Sequence, residues 1–147
     1  MTDLERMLAE QAIARRITLY AAHNDAGRWD DVAAMYTANG RMSRPTAPDA
    51  FIAGREAILA AFQARPPRAT RHVVANILVD VADDGLTAKA SSQIMLFTGS
   101  ADPAGNNLPI ASASPPLVGS YADQLVRADG VWLFAERRGS LDFQPAG

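Results

Sequence analysis

Residues 71–81 read RHVVANILVDV, a run dense in β-branched side chains, which suit a pleated, half-buried surface. Turn residues Asp83-Asp84-Gly85 follow, and a second run spans Thr87 to Thr98. The pair predicts an antiparallel hairpin. Downstream, Leu117 to Arg127 and Val131 to Leu141 form another pair, joined by Ala128-Asp129-Gly130, whose Asp-Gly step suits a tight turn. Upstream the pattern is helical. Thr2 and Glu5 have the spacing of a capping box, and Leu4, Leu8, Ile13, Ile17, Tyr20 and Asn24 recur at roughly helical spacing, predicting a helix from about Asp3 to Asn24. Gly27 sits where a left-handed residue ends a helix. A short helix is expected from Trp29 through Tyr36, ended by Asn39-Gly40, then a short strand at Arg41 to Arg44. A third helix, Arg55 to Ala64, is stopped by Pro66-Pro67. Helices early and strands late predict an α+β domain: a curved antiparallel sheet wrapped around three helices, leaving a cone-shaped pocket.

The chain has 147 residues, which allows one core, so a single domain over 1–147 is expected. Its 14 Lys+Arg against 16 Asp+Glu form no basic stripe, which argues against nucleic acid as a partner. The absence of cysteine removes disulfides, thiolate nucleophiles and cysteine-ligated zinc together. Two histidines far apart in sequence, without His-x-x-x-His spacing, make a metal site unexpected. There is no Gly-x-Gly-x-x-Gly after a strand, no phosphate loop and no Gly-x-Ser-x-Gly elbow. Chemistry without a cofactor is therefore the expectation. Charge within Met1–Arg6 and the lack of about 18 consecutive apolar residues predict a cytoplasmic protein with no membrane partner.

Any imidazole base must be His23 or His72. Strand alternation puts His72 on one face with Val74, Asn76 and Leu78, which suits a pocket wall; a core histidine bonded to a backbone carbonyl would look the same. Asp25 follows the first helix, where the helix dipole should raise its pKa as a general base requires, unless a cation such as His72 offsets the shift. The alternative is a solvated turn aspartate before Gly27. His23 suits the helix end as a charge complement to the dipole. Tyr20 could donate to a substrate carbonyl or fill core volume. In the last strand Val131, Leu133, Ala135, Arg137 and Gly139 share one face, and Trp132, Phe134, Glu136 and Arg138 the other. Whichever arginine ends inside must meet a carboxylate or an anionic substrate group.

The first helix ends N-D-A-G-R-W-D-D (24–31), followed by T-R-H-V-V-A-N (70–76) and L-V-R-A-D-G-V-W-L-F-A-E-R-R (125–138). In this order the chain resembles the nuclear transport factor 2-like superfamily, specifically its SnoaL-like branch, over nearly its whole length. It is similar to the dehydrochlorinase and scytalone dehydratase members, which use an Asp-His dyad in a conical pocket. The resemblance implies that Asp25 and His72 are the dyad and that Arg137 is the arginine of the last strand. The dehydrochlorinase lysine falls at Tyr20, and the second histidine of the dehydratases finds no counterpart near Phe97. The candidate set is thus His72, Asp25 and Arg137 as catalytic residues. Tyr20, Val74, Asn76, Met95, Phe97 and Tyr121 are the substrate-binding candidates, within a wall that includes Leu78, Ile94 and Leu96. The expected activity is that of a cofactor-independent lyase or isomerase on a small, largely apolar cyclic molecule. The alternative is a non-catalytic ligand-binding or oligomerising module. The resemblance also implies a homodimer or homotrimer formed through the sheet, with Trp132, Phe134 and Val126 as apolar contacts. Gly99 to Pro116 is long for a hairpin turn and either lids the pocket or reaches a neighbouring subunit.

Overall fold

A computed structural model describes residues 1–100, 108–113, 115–144 and 146. The chain opens with α1 (Asp3–Asp25), α2 (Trp29–Ala34), β1 (Tyr36–Arg44), β2 (Ala47–Ala53) and α3 (Arg55–Gln63). Four long strands follow: β3 (Arg68–Val81), β4 (Thr87–Ser100), β5 (Leu117–Ala128) and β6 (Val131–Phe143). They form one six-stranded sheet in the order β2-β1-β6-β5-β4-β3. The fold is the expected α+β cone, a curved sheet with three helices. Among its pairings, β1 runs parallel to β6, so the sheet is mixed. Two elements differ from expectation. The second helix stops at Ala34, and Tyr36 already begins β1. β2 went unexpected because Pro48 interrupts its sequence; as an edge strand it tolerates the missing donor.

α1 starts with the predicted reciprocal cap: the Glu5 N–H donates to Thr2 Oγ1 at 3.1 Å and the Thr2 N–H to Glu5 Oε2 at 2.7 Å. Gly27 adopts φ +68°, the left-handed conformation that turns the chain after the helix. The apolar stripe of α1 is shorter than predicted. Ile13, Ile17, Tyr20 and Asn24 are buried, whereas Leu4 and Leu8 are 62% and 60% exposed. Ile13, Ile17 and Ile58 are fully buried, each contributing about 1.5–3 kcal/mol. They join Val32, Phe62, Leu125, Trp132 and Phe134 in the core between helices and sheet. No helix among the described residues is long and apolar enough to cross a membrane.

Two bulges decide which side chains face that core. In β3, Ala75 pairs with Gln93 and Leu78 with Ser91, so Asn76 and Ile77 together oppose one residue. Asn76 takes φ 52° to make the step. The alternation therefore inverts: His72 and Val74 face the helices, and then Ile77, Val79 and Val81 do. In β6, Glu136 pairs with Gln124 and Phe134 with Leu125, so Ala135 is the extra residue. Trp132, Phe134 and Arg137 consequently share the inner side. At Gly139 an added Cβ would lie 2.5 Å from the Pro45 nitrogen, so glycine lets the end of β1 close onto β6.

Candidate active site

The last residue of α1 and the first half of β3 meet at one point. Thr70, His72 and Val74 alternate onto the inner side of β3, and Asp25 arrives from the helix end. Asp25 Oδ1 lies 2.5 Å from His72 Nδ1 and accepts from Thr70 Oγ1 at 2.9 Å. Its Oδ2 accepts the backbone N–H of His72 at 2.8 Å. Both side chains are largely buried, at 12% and 9% exposure for Asp25 and His72. Burial pushes the Asp25 carboxyl up, but the bonds and charge of His72 and the Thr70 hydroxyl outweigh it and hold the carboxyl below its ordinary value. Taken alone, the helix end predicts a raised value; the partner reverses the direction. An ionised Asp25 can only accept, so Nδ1 carries the hydrogen, and in the neutral ring the lone pair falls on Nε2.

His72 lines a chamber of about 30 Å³ with Tyr20, Tyr36, Phe62, Tyr121 and Arg137 among its walls. That is room for about one water-sized group. The depth of the cone is thus filled rather than hollow. Arg137, 2% exposed, donates from Nε to Asp123 Oδ1 at 3.0 Å and from Nη2 to Oδ2 at 3.5 Å. Its guanidinium stacks over Tyr20, Tyr121 and Phe134 at 4.3, 3.8 and 4.9 Å from the ring centroids. Burial works against that charge, but Asp123 and the surrounding phenols hold Arg137 protonated. Burial pushes the Asp123 carboxyl up to about 6, Arg137 limiting the rise, so the pair is ionised at neutral pH. Arg138 takes the outward place and pairs with exposed Asp49 at 2.8 Å. Tyr20 and Tyr36 share a hydrogen bond of 2.8 Å, and burial pushes the Tyr20 phenol up to about 12. Burial also raises Tyr121.

His72, Asp25, Arg137, Tyr20 and Tyr121 are therefore brought together, and Val74 packs against the core beside them. Asn76, Met95 and Phe97 are not part of the site. The β3 bulge turns Asn76 outward, where it donates to Gln93 Oε1 at 2.5 Å, and it also leaves Leu78 69% exposed. Met95 and Phe97 lie on the outer side of β4, 40% and 36% exposed, while Ile94 and Leu96, alternating with them, point inward. Trp132 and Phe134, expected as outer contacts, are core residues. His23 stands in the last turn of α1, away from the chamber walls. Asp123, Thr70 and Tyr36 went unpredicted. Asp123 was nonetheless findable, since it alternates inward between Tyr121 and Leu125 on β5 and a buried arginine demands a carboxylate.

Outside the chamber the space widens. A cavity of about 350 Å³ is floored by Ile94, Leu96, Leu117 and Leu141 and shares Arg44 and Arg65 with the chamber. Leu96 and Ile94 are the register partners of His72 and Val74, so this mouth lies one strand from the imidazole. A second depression of about 510 Å³ runs behind Asp25 and Thr70, and Ile110 lines it. Ile110 belongs to the Gly99–Pro116 segment, of which residues 101–107 and 114 lie outside the described residues.

Among solved structures, the fold matches a protein of Novosphingobium aromaticivorans assigned provisionally as a scytalone dehydratase. The TM-score is 0.78 at 23% identity, over 99% of this chain and 94% of that one. An NTF2-like protein with a cystatin-like fold from the same organism matches with TM-score 0.75 and 19% identity, over 97% and 88% of the two chains. ActVI-ORFA of Streptomyces coelicolor matches with TM-score 0.71 and 20% identity, over 90% and 96%. At such identities the likeness establishes the fold. No curated protein matches the chain. The SnoaL-like domain family matches residues 5–138, nearly the whole length, and the chain belongs to that family.

Proposed function

We propose that the protein is a cofactor-independent lyase or isomerase that moves a proton on a small, largely apolar cyclic substrate. The observation that carries this reading is the Asp25–His72 bond of 2.5 Å, which ties up Nδ1 and leaves Nε2 as a base at the chamber wall. His72 removes a proton from carbon; Asp25 fixes the tautomer and stabilises the imidazolium that forms. The electron pair left on carbon moves toward an adjacent carbonyl oxygen or expels a leaving group on the next carbon. Arg137 Nη1 and the Tyr121 hydroxyl make no hydrogen bond among the described residues and line the same chamber, so both can donate to a developing oxyanion. The chamber's small size requires the body of the substrate to sit in the mouth, with only its reacting edge reaching inward.

The test is a panel of cyclic carbonyl compounds with an acidic C–H, with and without a neighbouring hydroxyl or halide, incubated in deuterated water. The expected result is deuterium uptake or elimination that requires His72. No uptake or elimination across the panel contradicts the proposal.

The filled cone favours, as second reading, a ligand-binding or oligomerising module. We propose a homo-oligomer in either case, formed through the outer side of the sheet. With Trp132 and Phe134 inside, the apolar contacts fall instead to Val73 and its register partner Met95, with Phe97 beside them; Val73 is 47% exposed. The double variant Val73→Lys/Met95→Lys is expected to lower the mass measured by sedimentation to that of a monomer, while the wild type remains a dimer or trimer. A monomeric wild type contradicts this.

A further inference from the structure

The mouth carries an unusual set of charges. Arg44 closes β1, Arg65 follows α3 and Arg68 opens β3, and all three line the cavity of about 350 Å³. No carboxylate lines it. Each of the six ion pairs among the described residues draws its cation from elsewhere. Arg44 spends one N–H on the Ala61 carbonyl at 3.2 Å, and its Nε is buried without an acceptor. Among the described residues the Arg65 side chain reaches only Asn24 Oδ1, at 3.5 Å, and it stacks over Phe62. Burial and the charges of Arg44 and Arg68 weaken the protonation of Arg65, as expected where like charges converge; Arg65 and Arg68 also border, with Asp25, the depression behind the dyad. A buried guanidinium nitrogen without an acceptor is costly and marks a place for an anion.

We infer that Arg44, Arg65 and Arg68 bind the carboxylate of a substrate whose apolar rings lie on Ile94, Leu96, Leu117 and Leu141. The planar guanidinium matches a carboxylate through paired N–H bonds, and the leucine and isoleucine floor gives an inorganic anion nothing to cover. Arg68 and His72 alternate onto the same side of β3 four residues apart, roughly 13 Å along the strand. Arg44 and Arg65 line both this cavity and the chamber of His72, so a cyclic acid held at the arginines can turn its reacting carbon toward Nε2. This assignment rests on the proposed reading of the His72 site for its orientation, but the anion contacts can be measured apart from it.

Naphthoate, its uncharged methyl ester and inorganic phosphate are the probes, titrated calorimetrically into the full chain. The acid is expected to bind at least about tenfold more tightly than the ester, the equivalent of one charge-assisted hydrogen bond. That preference should fall to near unity in Arg65→Gln/Arg68→Gln and be partly kept in Arg68→Lys, which retains the charge. Equal binding of acid and ester, no binding of either, or a preference that survives the double variant overturns the inference. So does phosphate displacing naphthoate at equal concentration, which would make the site one for any small anion. His72→Gln should leave the preference intact. In the wild type, no turnover across the panel with the acid-over-ester preference retained contradicts the reading of the His72 site alone, and turnover without that preference contradicts the arginine assignment alone.

Discussion

His72→Gln is expected to lower the rate of deuterium uptake or elimination by about 10²–10⁴-fold, the range over which a positioned general base contributes. Glutamine fills similar space and can donate to Asp25, but it has no lone pair basic enough to accept a proton from carbon. The variant exchanges the 2.5 Å imidazole–carboxylate bond for an amide one, so a stability cost of about 0.5–1.5 kcal/mol should accompany it. Activity must therefore be read below the melting range. His23→Gln is the control: His23 does not line the chamber, and its loss should leave the rate within about twofold of wild type. A rate in His72→Gln equal to that of wild type would remove the imidazole from the mechanism.

Arg137→Met is expected to destabilise the fold by about 3–5 kcal/mol, because it strands Asp123 as an unpaired carboxylate at 3% exposure. At this chain length the loss corresponds to roughly 10 °C in Tm. The cost should shrink on acidification. Burial already raises the Asp123 carboxyl to about 6 with its partner present. Without Arg137 the folded value rises further above the unfolded one of about 3.9. Across that interval the folded state binds the extra proton, so stability increases as pH falls from 7 toward 4. The double variant Arg137→Met/Asp123→Leu, which removes both charges and keeps the volume, should recover most of the loss. Urea unfolding at pH 7 and pH 5 measures all of this. A single-variant cost under about 1 kcal/mol would show that the pair is not buried as described.

The architecture was legible because its signals are local. The capping box at Thr2 and Glu5, the β-branched run at 71–81 and the Asp129-Gly130 turn each fix an element from a few neighbouring residues. The Asp25–His72 contact was legible for a different reason: two chemically distinctive residues stand at the close of α1 and in the first half of β3, and the family resemblance pairs them. What failed was the assignment of faces. Strict alternation carries His72 to Asn76 and Leu78, but the bulge at Asn76 inverts the strand, and only asparagine's tolerance of positive φ hinted at it. The bulge at Ala135 likewise puts Phe134 and Arg137 on one side, where a period of two separates them. Met95 and Phe97 were misplaced because an apolar run does not disclose which of its two faces is covered. The arginine cluster at the mouth was out of reach, since Arg44, Arg65 and Arg68 come together only when three element ends converge.

Central to this account is a neutral His72 that carries its proton on Nδ1, toward Asp25, and presents Nε2 as the base. The chain has two histidines, so long-range nitrogen–proton correlation spectra of the labelled protein, assigned with His23→Gln, report this directly. His72 is expected to be the Nδ1–H tautomer, with a far-downfield proton that disappears in Asp25→Asn. An Nε2–H tautomer, or a spectrum of His72 indifferent to Asp25→Asn, would contradict it.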